Sequence, residues 1–215
     1  SLSFFRTQIA EGSMLPSGKM PYEVFIPAYR DEILSDTVMV YGNVDEVELV
    51  LNGKTIRRQT ADKGPDSDYI PVPNGGNGKN LHFPPFTFYG VPKERGVLKA
   101  VGYHQGKKVA EYTVKTPGVP ERLDNTYFES GKPATKNDLL IVYVRMLDKQ
   151  GVLCPVNGIP VELSVQGGEI VGPTSYPLEA GVASFLVRTG EISKININAT
   201  GKGFSTRKSL KVGKE

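Results

Sequence analysis

Asp45-Glu46-Val47-Glu48-Leu49-Val50-Leu51-Asn52-Gly53-Lys54 joins a strand of period two to a tight-turn signal. Val47, Leu49 and Leu51 fall on one face and Glu46 and Glu48 on the other, the pattern of a strand with one side on a core and one in water. Asn52-Gly53 can supply the two positive φ angles of a type I′ turn, and Thr55 to Thr60 then return as a second strand. The stretch predicts an antiparallel hairpin, and with it an all-β chain.

Working outward, the same vocabulary recurs on both sides. Upstream, Tyr22 to Tyr29 reads as a strand that Pro27 confines to an edge or a bulge, because proline has no N–H for the ladder. Thr37 to Tyr41 reads as another. Downstream, residues 61–80 turn to Asp, Gly, Pro, Ser and Asn, a composition too polar to order itself, and predict a long loop. Leu81 to Tyr89 is aromatic-rich and reads as a strand that changes direction at Pro84-Pro85. Leu98 to Tyr103 and Lys108 to Val114 flank His104-Gln105-Gly106-Lys107, a second hairpin. Five to seven short strands fit an immunoglobulin-like sandwich.

Thr116-Pro117-Gly118-Val119-Pro120 stops any strand and is the best domain boundary. Beyond it, Leu139 to Leu147 is apolar on both faces except at Arg145, which predicts a central strand covered on both sides or near a domain contact. Asp148 to Gly151 turns it. Val161, Leu163 and Val165 alternate with polar residues, as do Ile195, Ile197 and Ala199, while glycines punctuate at intervals of roughly ten residues. The expected organisation is two consecutive immunoglobulin-like β-sandwich domains, over residues 21–116 and 117–215. Residues 1–20 are expected to be a linker-like remnant of something preceding them. No segment beyond a turn or two carries a 3.6-residue apolar repeat, so little helix is predicted.

The chain has 215 residues, with 26 basic and 23 acidic side chains, a net charge of +3 that gives no reason to expect a nucleic-acid partner. No run of about 18 consecutive apolar residues occurs, so no membrane-spanning helix is predicted. The single Cys154 has no partner for a disulfide and is expected to be an inert thiol. Ser1-Leu2-Ser3-Phe4-Phe5-Arg6 opens in mid-pattern without a leader's apolar region, which reads as a piece of a longer protein whose own start carries any signal peptide.

Chemistry is sparse. Glu46 and Glu48 stand about 7 Å apart as alternate residues, a spacing open to a carboxylate pair for glycoside hydrolysis and equally to a wetted sheet face, the reading preferred. Asp62, Asp66 and Asp68 lack the glycine and terminal glutamate of a calcium loop. His82 and His104 lack the neighbours of a triad or a zinc site and read as surface or cap residues. Gly75 to Asn80 departs from a phosphate loop in glycine spacing and in its last residue, and Asn198-Ala199-Thr200 is a sequon in a strand context. No catalytic residue, metal site or cofactor is predicted. Exposed aromatics remain: Tyr69, Tyr89, Tyr103 and Tyr176 are the candidate carbohydrate contacts, on which sugar rings could stack, each also readable as a core or corner tyrosine.

Val40 to Lys54 resembles the segment that follows the catalytic barrel in many bacterial family 2 glycoside hydrolases, the β-galactosidase group. Pro84-Pro85-Phe86-Thr87-Phe88, then Gly96 to Tyr103 and Gly118 to Leu123, are similar to successive stretches of that family, and Asp138 to Asp148 and Pro160 to Gly172 to its next immunoglobulin-like domain. Phe4-Phe5-Arg6-Thr7-Gln8 looks like the run that leaves the barrel. The resemblance implies a C-terminal accessory region of a β-galactosidase-like hydrolase in carbohydrate metabolism, with its own catalytic barrel, absent here, as partner. The family's two catalytic glutamates belong to that barrel, so none is carried onto this chain, and the region alone is expected to be inactive. The parent is expected to be periplasmic or secreted in a bacterium. The alternative is an autonomous carbohydrate-binding or adhesion module, with an oligosaccharide as partner.

Overall fold

The computed structural model describes residues 2–16, 18–27, 36–62, 81–127, 134–191 and 193–213. It divides into two compact units, Ser1–Thr116 and Pro117–Glu215. Among the described residues all sheet pairings are antiparallel and the one helix is the short α1 (Leu2–Arg6), so the fold is all-β.

In the first unit a three-stranded sheet, β3 (Val24–Phe25), β4 (Val38–Gly42) and β7 (Phe86–Phe88), accompanies a four-stranded one in the order β6 (Lys54–Thr60), β5 (Glu46–Leu51), β8 (Val97–His104), β9 (Lys107–Lys115). The alternation in β5 sets its two faces: Val47, Leu49 and Leu51 are buried, with Glu46, Glu48 and Val50 between them. They join Val40, Phe86, Phe88 and Leu98 in one apolar cluster. Burial of each such side chain stabilises by about 1.5–3 kcal/mol relative to exposure.

Asn52 (φ 50°) and Gly53 (φ 81°) form the turn that their residue types require. The Asn52 side chain also does what no local pattern reveals: Oδ1 accepts from Val97 N at 2.9 Å and Nδ2 donates to Arg95 O at 3.1 Å, tying the turn to the start of β8. Asn52→Ala, which keeps neither bond and must hold a positive φ, is expected to cost about 1–2 kcal/mol. Native-state amide exchange in β5 and β8 would then run about tenfold faster.

Three expectations are revised. The 1–20 segment is not merely linker: α1 and the hairpin β1 (Met14–Leu15) with β2 (Gly18–Lys19) belong to the first unit, Thr7 and Met20 are buried, and Asn43 Nδ2 donates to Ile9 O and Pro21 O, both at 3.0 Å. A few apolar anchors and one buried asparagine achieve this without any periodicity to announce them. The 22–29 strand is reduced to the two residues of β3, and in the aromatic run regular pairing begins only at Phe86, after the prolines have withheld their N–H groups. Thr87, at the centre of β7, has its N–H and hydroxyl bound by Asp62, at 3.2 and 2.6 Å, and its carbonyl by Gln59 at 2.9 Å, so side chains satisfy the outer edge of a three-residue strand.

The second unit has sheets β10 (Pro120–Tyr127), β11 (Leu139–Asp148), β15 (Val182–Thr189), β13 (Gly168–Ile170) and β14 (Ser175–Pro177), β12 (Pro160–Gln166), β16 (Lys194–Gly201), β17 (Phe204–Lys211), each in that order. Val161, Leu163, Ile195, Ile197 and Ala199 point into one core with Val142, Val144, Met146 and Phe185. β11 is central in its sheet, yet only one face is covered within the unit: Leu139 and Ile141 are 51% and 42% exposed, and Leu186, opposite Ile141 on β15, is 37% exposed.

Candidate functional site

The outer face of the β6–β5–β8–β9 sheet gathers the carboxylates that sequence reading singled out. Glu48 Oε1 accepts from the Thr55 hydroxyl at 2.6 Å and Oε2 from Tyr103 Oη at 2.7 Å. Arg58 Nη2 donates to Glu46 at 2.6 Å, and its guanidinium lies 3.7 Å from the centre of the Tyr103 ring. The two hydroxyl donors, from Thr55 and then Tyr103, hold the Glu48 carboxyl below its ordinary range, helped by Arg58. The same bond raises the Tyr103 phenol, because losing its proton would set two anions together. A general acid for glycoside cleavage needs a carboxyl kept protonated near neutrality. Glu48 is driven the other way, and the network is a cross-strand brace with one aromatic face covered by Arg58.

The described candidate tyrosines stand in different local settings. Tyr103 is part of that brace. Tyr89 follows the three-stranded sheet, 45% exposed, with its carbonyl accepting from Arg57 Nη2 at 3.3 Å. Tyr176 lies on edge strand β14 of the second unit, 39% exposed, its ring edge-on to Phe185 at 5.4 Å. Tyr69 lies outside the described residues, as do Asp66, Asp68 and the Gly75 to Asn80 run. Asp62 gives both oxygens to Thr87. Among the described residues no group of three His, Cys, Asp or Glu is placed to hold a metal ion, and no helix is long and apolar enough to cross a membrane.

His104 sits as a turn residue: its Nδ1 is 3.1 Å from Asp45, whose other oxygen accepts from Gln105 N at 2.8 Å. The Gln105 N–H is the main cause holding Asp45 below its ordinary range. Cys154 is 2% exposed, and burial, reinforced by the Asp148 charge, pushes its thiol up, which leaves it a poor nucleophile.

A groove that sequence reading did not find lies elsewhere in the first unit. It has a volume of about 340 Å³ and runs between α1, β3 and β9, with Arg6, Tyr22, Glu23, Phe25, Glu111 and Tyr112 among its walls. Arg6 Nε donates to both Glu23 oxygens, at 2.9 and 3.0 Å, and Nη2 bonds Oε1 as well. Tyr22 stacks on His104 at 4.9 Å and 27°, and Phe25 meets Tyr112 edge-on at 5.3 Å. These residues come from positions more than a hundred apart, so no spacing within a motif could have signalled them.

Residues 35–110 match the family model described as Domain of unknown function (DUF4982). A β-galactosidase of Thermoanaerobacter pseudethanolicus is 30% identical over 181 residues, covering 76% of this chain and 22% of that protein. A β-galactosidase of Bacteroides ovatus is 32% identical over 133 residues, 61% of this chain and 13% of its own length. The chain therefore spans about a fifth or less of these relatives. Among solved structures, a β-glucuronidase from glycoside hydrolase family 2 superposes with a TM-score of 0.71 over 90% of this chain and 20% of its own, at 22% identity, a likeness of fold. With its two all-β units and with matches confined to a small part of larger glycosidases, the chain resembles a C-terminal fragment of bacterial family 2 glycoside hydrolases.

Proposed function

We propose that this chain is a non-catalytic accessory region of a β-galactosidase-like family 2 glycoside hydrolase, supporting a catalytic barrel carried elsewhere in the whole protein. The observation that carries the reading is the disproportion of the match: 76% of this chain corresponds to only 22% of a curated β-galactosidase. The chemistry agrees with it. Glu48, braced beside Glu46, is held ionised rather than protonated, which suits a wetted sheet face and not an acid catalyst. Support for a barrel calls for apolar surface, and Phe5, 65% exposed on α1, offers it, whereas Phe4 spends an edge on Tyr41 at 4.9 Å.

The test is assay of the isolated chain with nitrophenyl β-galactoside. No turnover above buffer is expected. Turnover that a single carboxylate substitution abolishes would overturn the reading.

A further inference from the structure

We propose that the groove between α1, β3 and β9 is a binding site for a neutral pyranoside. Its volume, about 340 Å³, lies at the lower end of the range of small-molecule sites, enough for one or two sugar rings. Its walls supply the two things a sugar needs. Tyr22 and Tyr112 offer ring surface for the apolar face of a pyranose, and both rings are held by neighbours, Tyr22 by His104 and Tyr112 by Phe25. Rings already fixed lose little conformational freedom when a ligand arrives.

The second element is Arg6 with Glu23. A vicinal diol offers a donor and an acceptor side by side, and is met by an acceptor and a donor held in one plane. Arg6 uses Nε and Nη2 on Glu23, and Nη1 makes no hydrogen bond to a described residue. Nη1 is thus a donor beside a carboxylate that still has lone pairs to give. The two side chains are 34% and 25% exposed, reachable from the groove yet partly shielded from water.

Charge decides the class of sugar. Arg6 is the one cation among the described lining residues, and Glu23 already neutralises it; Glu111, on the opposite wall, is a further carboxylate, whose own partners Lys108 and Lys99 sit at 2.6 and 3.7 Å. Among the described residues no uncompensated positive charge faces the groove, so a uronate carboxylate finds no counter-charge among them and a neutral pyranoside is preferred.

Titration of the whole chain with methyl pyranosides of galactose, glucose and mannose, followed by two-dimensional amide NMR, tests this. Saturable shifts are expected in residues 22–25 and 110–112 with at least one of the three, at a dissociation constant on the order of 1 mM. Tyr112→Ala and Arg6→Lys should each weaken binding at least about tenfold, about 1.4 kcal/mol or more, with Tyr112→Phe binding as the parent does. Tyr89→Ala and Tyr176→Ala, outside the groove, should leave it unchanged. The spectrum of each variant separates a lost site from a lost fold. Absence of saturable shifts with all three sugars, shifts that map outside the groove, or tighter binding of glucuronate would each overturn the proposal.

Discussion

Gly181→Ala is expected to destabilise the second unit by about 3–4 kcal/mol, although it adds a single methyl group. Gly181 has φ +82°, following Ala180 at φ 47°, in a tight turn whose flanks Glu179 and Val182 exchange backbone bonds at 2.9 and 3.0 Å. A Cβ at Gly181 would stand 2.1 Å from the carbonyl oxygen of Cys154 and 3.0 Å from its carbon. The obstacle is backbone, so no rotamer change relieves it. That backbone is itself fixed: Cys154 N donates to Met146 O at 2.9 Å, Met146 N to Gly181 O at 2.9 Å and Gly181 N to Val156 O at 2.8 Å. The left-handed conformation costs an L-residue about 1–2 kcal/mol, and overpacking typically adds about 1–3 kcal/mol. The molecule carries its own reporter, since Cys154 is the sole cysteine of the chain and is buried in this unit. Its labelling by a thiol reagent under native conditions should accelerate by a factor of about a hundred or more in Gly181→Ala, as opening of the second unit becomes that much easier. An unchanged labelling rate would mean that the 153–156 segment yields instead.

Legibility in the sequence followed the range of the interaction that decides each feature. The 45–54 hairpin was readable in full because both of its determinants are local: the alternation that buries Val47, Leu49 and Leu51, and the Asn52-Gly53 pair that turns the chain. The hairpin at Gln105-Gly106, with φ of 48° and 76°, was readable for the same reason. Ala180-Gly181 was not, because alanine gives no warning of a positive φ; the close approach of Cys154 that fixes the turn comes from nearly thirty residues away in sequence. Leu139 and Ile141 fit a strand covered on both sides or one near a domain contact, and within the unit their face is exposed. An apolar run says that a strand is a good strand, and it does not say which face will be covered.

The same distinction governs the candidate site. Glu46 and Glu48 were legible as a pair of carboxylates, but the chemical state of Glu48 was not, since it is set by Thr55 seven residues on and Tyr103 fifty-five residues on. The four tyrosines were chosen for exposure and turn context, which locate rings singly and say nothing of what lies beside them. The Arg6–Glu23 pair and its two aromatic neighbours come from three elements that only the tertiary fold assembles, so residue types and spacings left them invisible.

Asp148→Ala is expected to cost the second unit about 3–4 kcal/mol and to remove an acid-sensitive component of its stability. Asp148 is 3% exposed and closes β11 as the hub of the following turn. Oδ1 accepts from Gln150 N and Val152 N, both at 2.8 Å, and Oδ2 from Gly118 N at 2.7 Å. Burial works to raise the carboxyl, but the N–H groups of Gly118, Val152, Gln150 and Gly151 together outweigh it, and the group ends below its ordinary range. Removing it leaves three part-buried N–H groups unpaired, each worth about 1 kcal/mol or more. The sign of the pH effect follows from the lowered value. The folded state holds the anion more tightly than the unfolded state does, so this stability is present above the unfolded carboxyl's range and is lost as pH falls through it toward the folded value. Urea midpoints of the second unit read from its amide NMR signals at neutral pH and at about pH 4 and pH 3 give the measurement, the unfolded carboxyl titrating near 3.9. The parent chain should lose stability in that descent, and Asp148→Ala should lose measurably less. Equal acid sensitivity in the two would assign the loss to other carboxylates, and a midpoint unchanged at neutral pH would remove Asp148 as the hub of the turn.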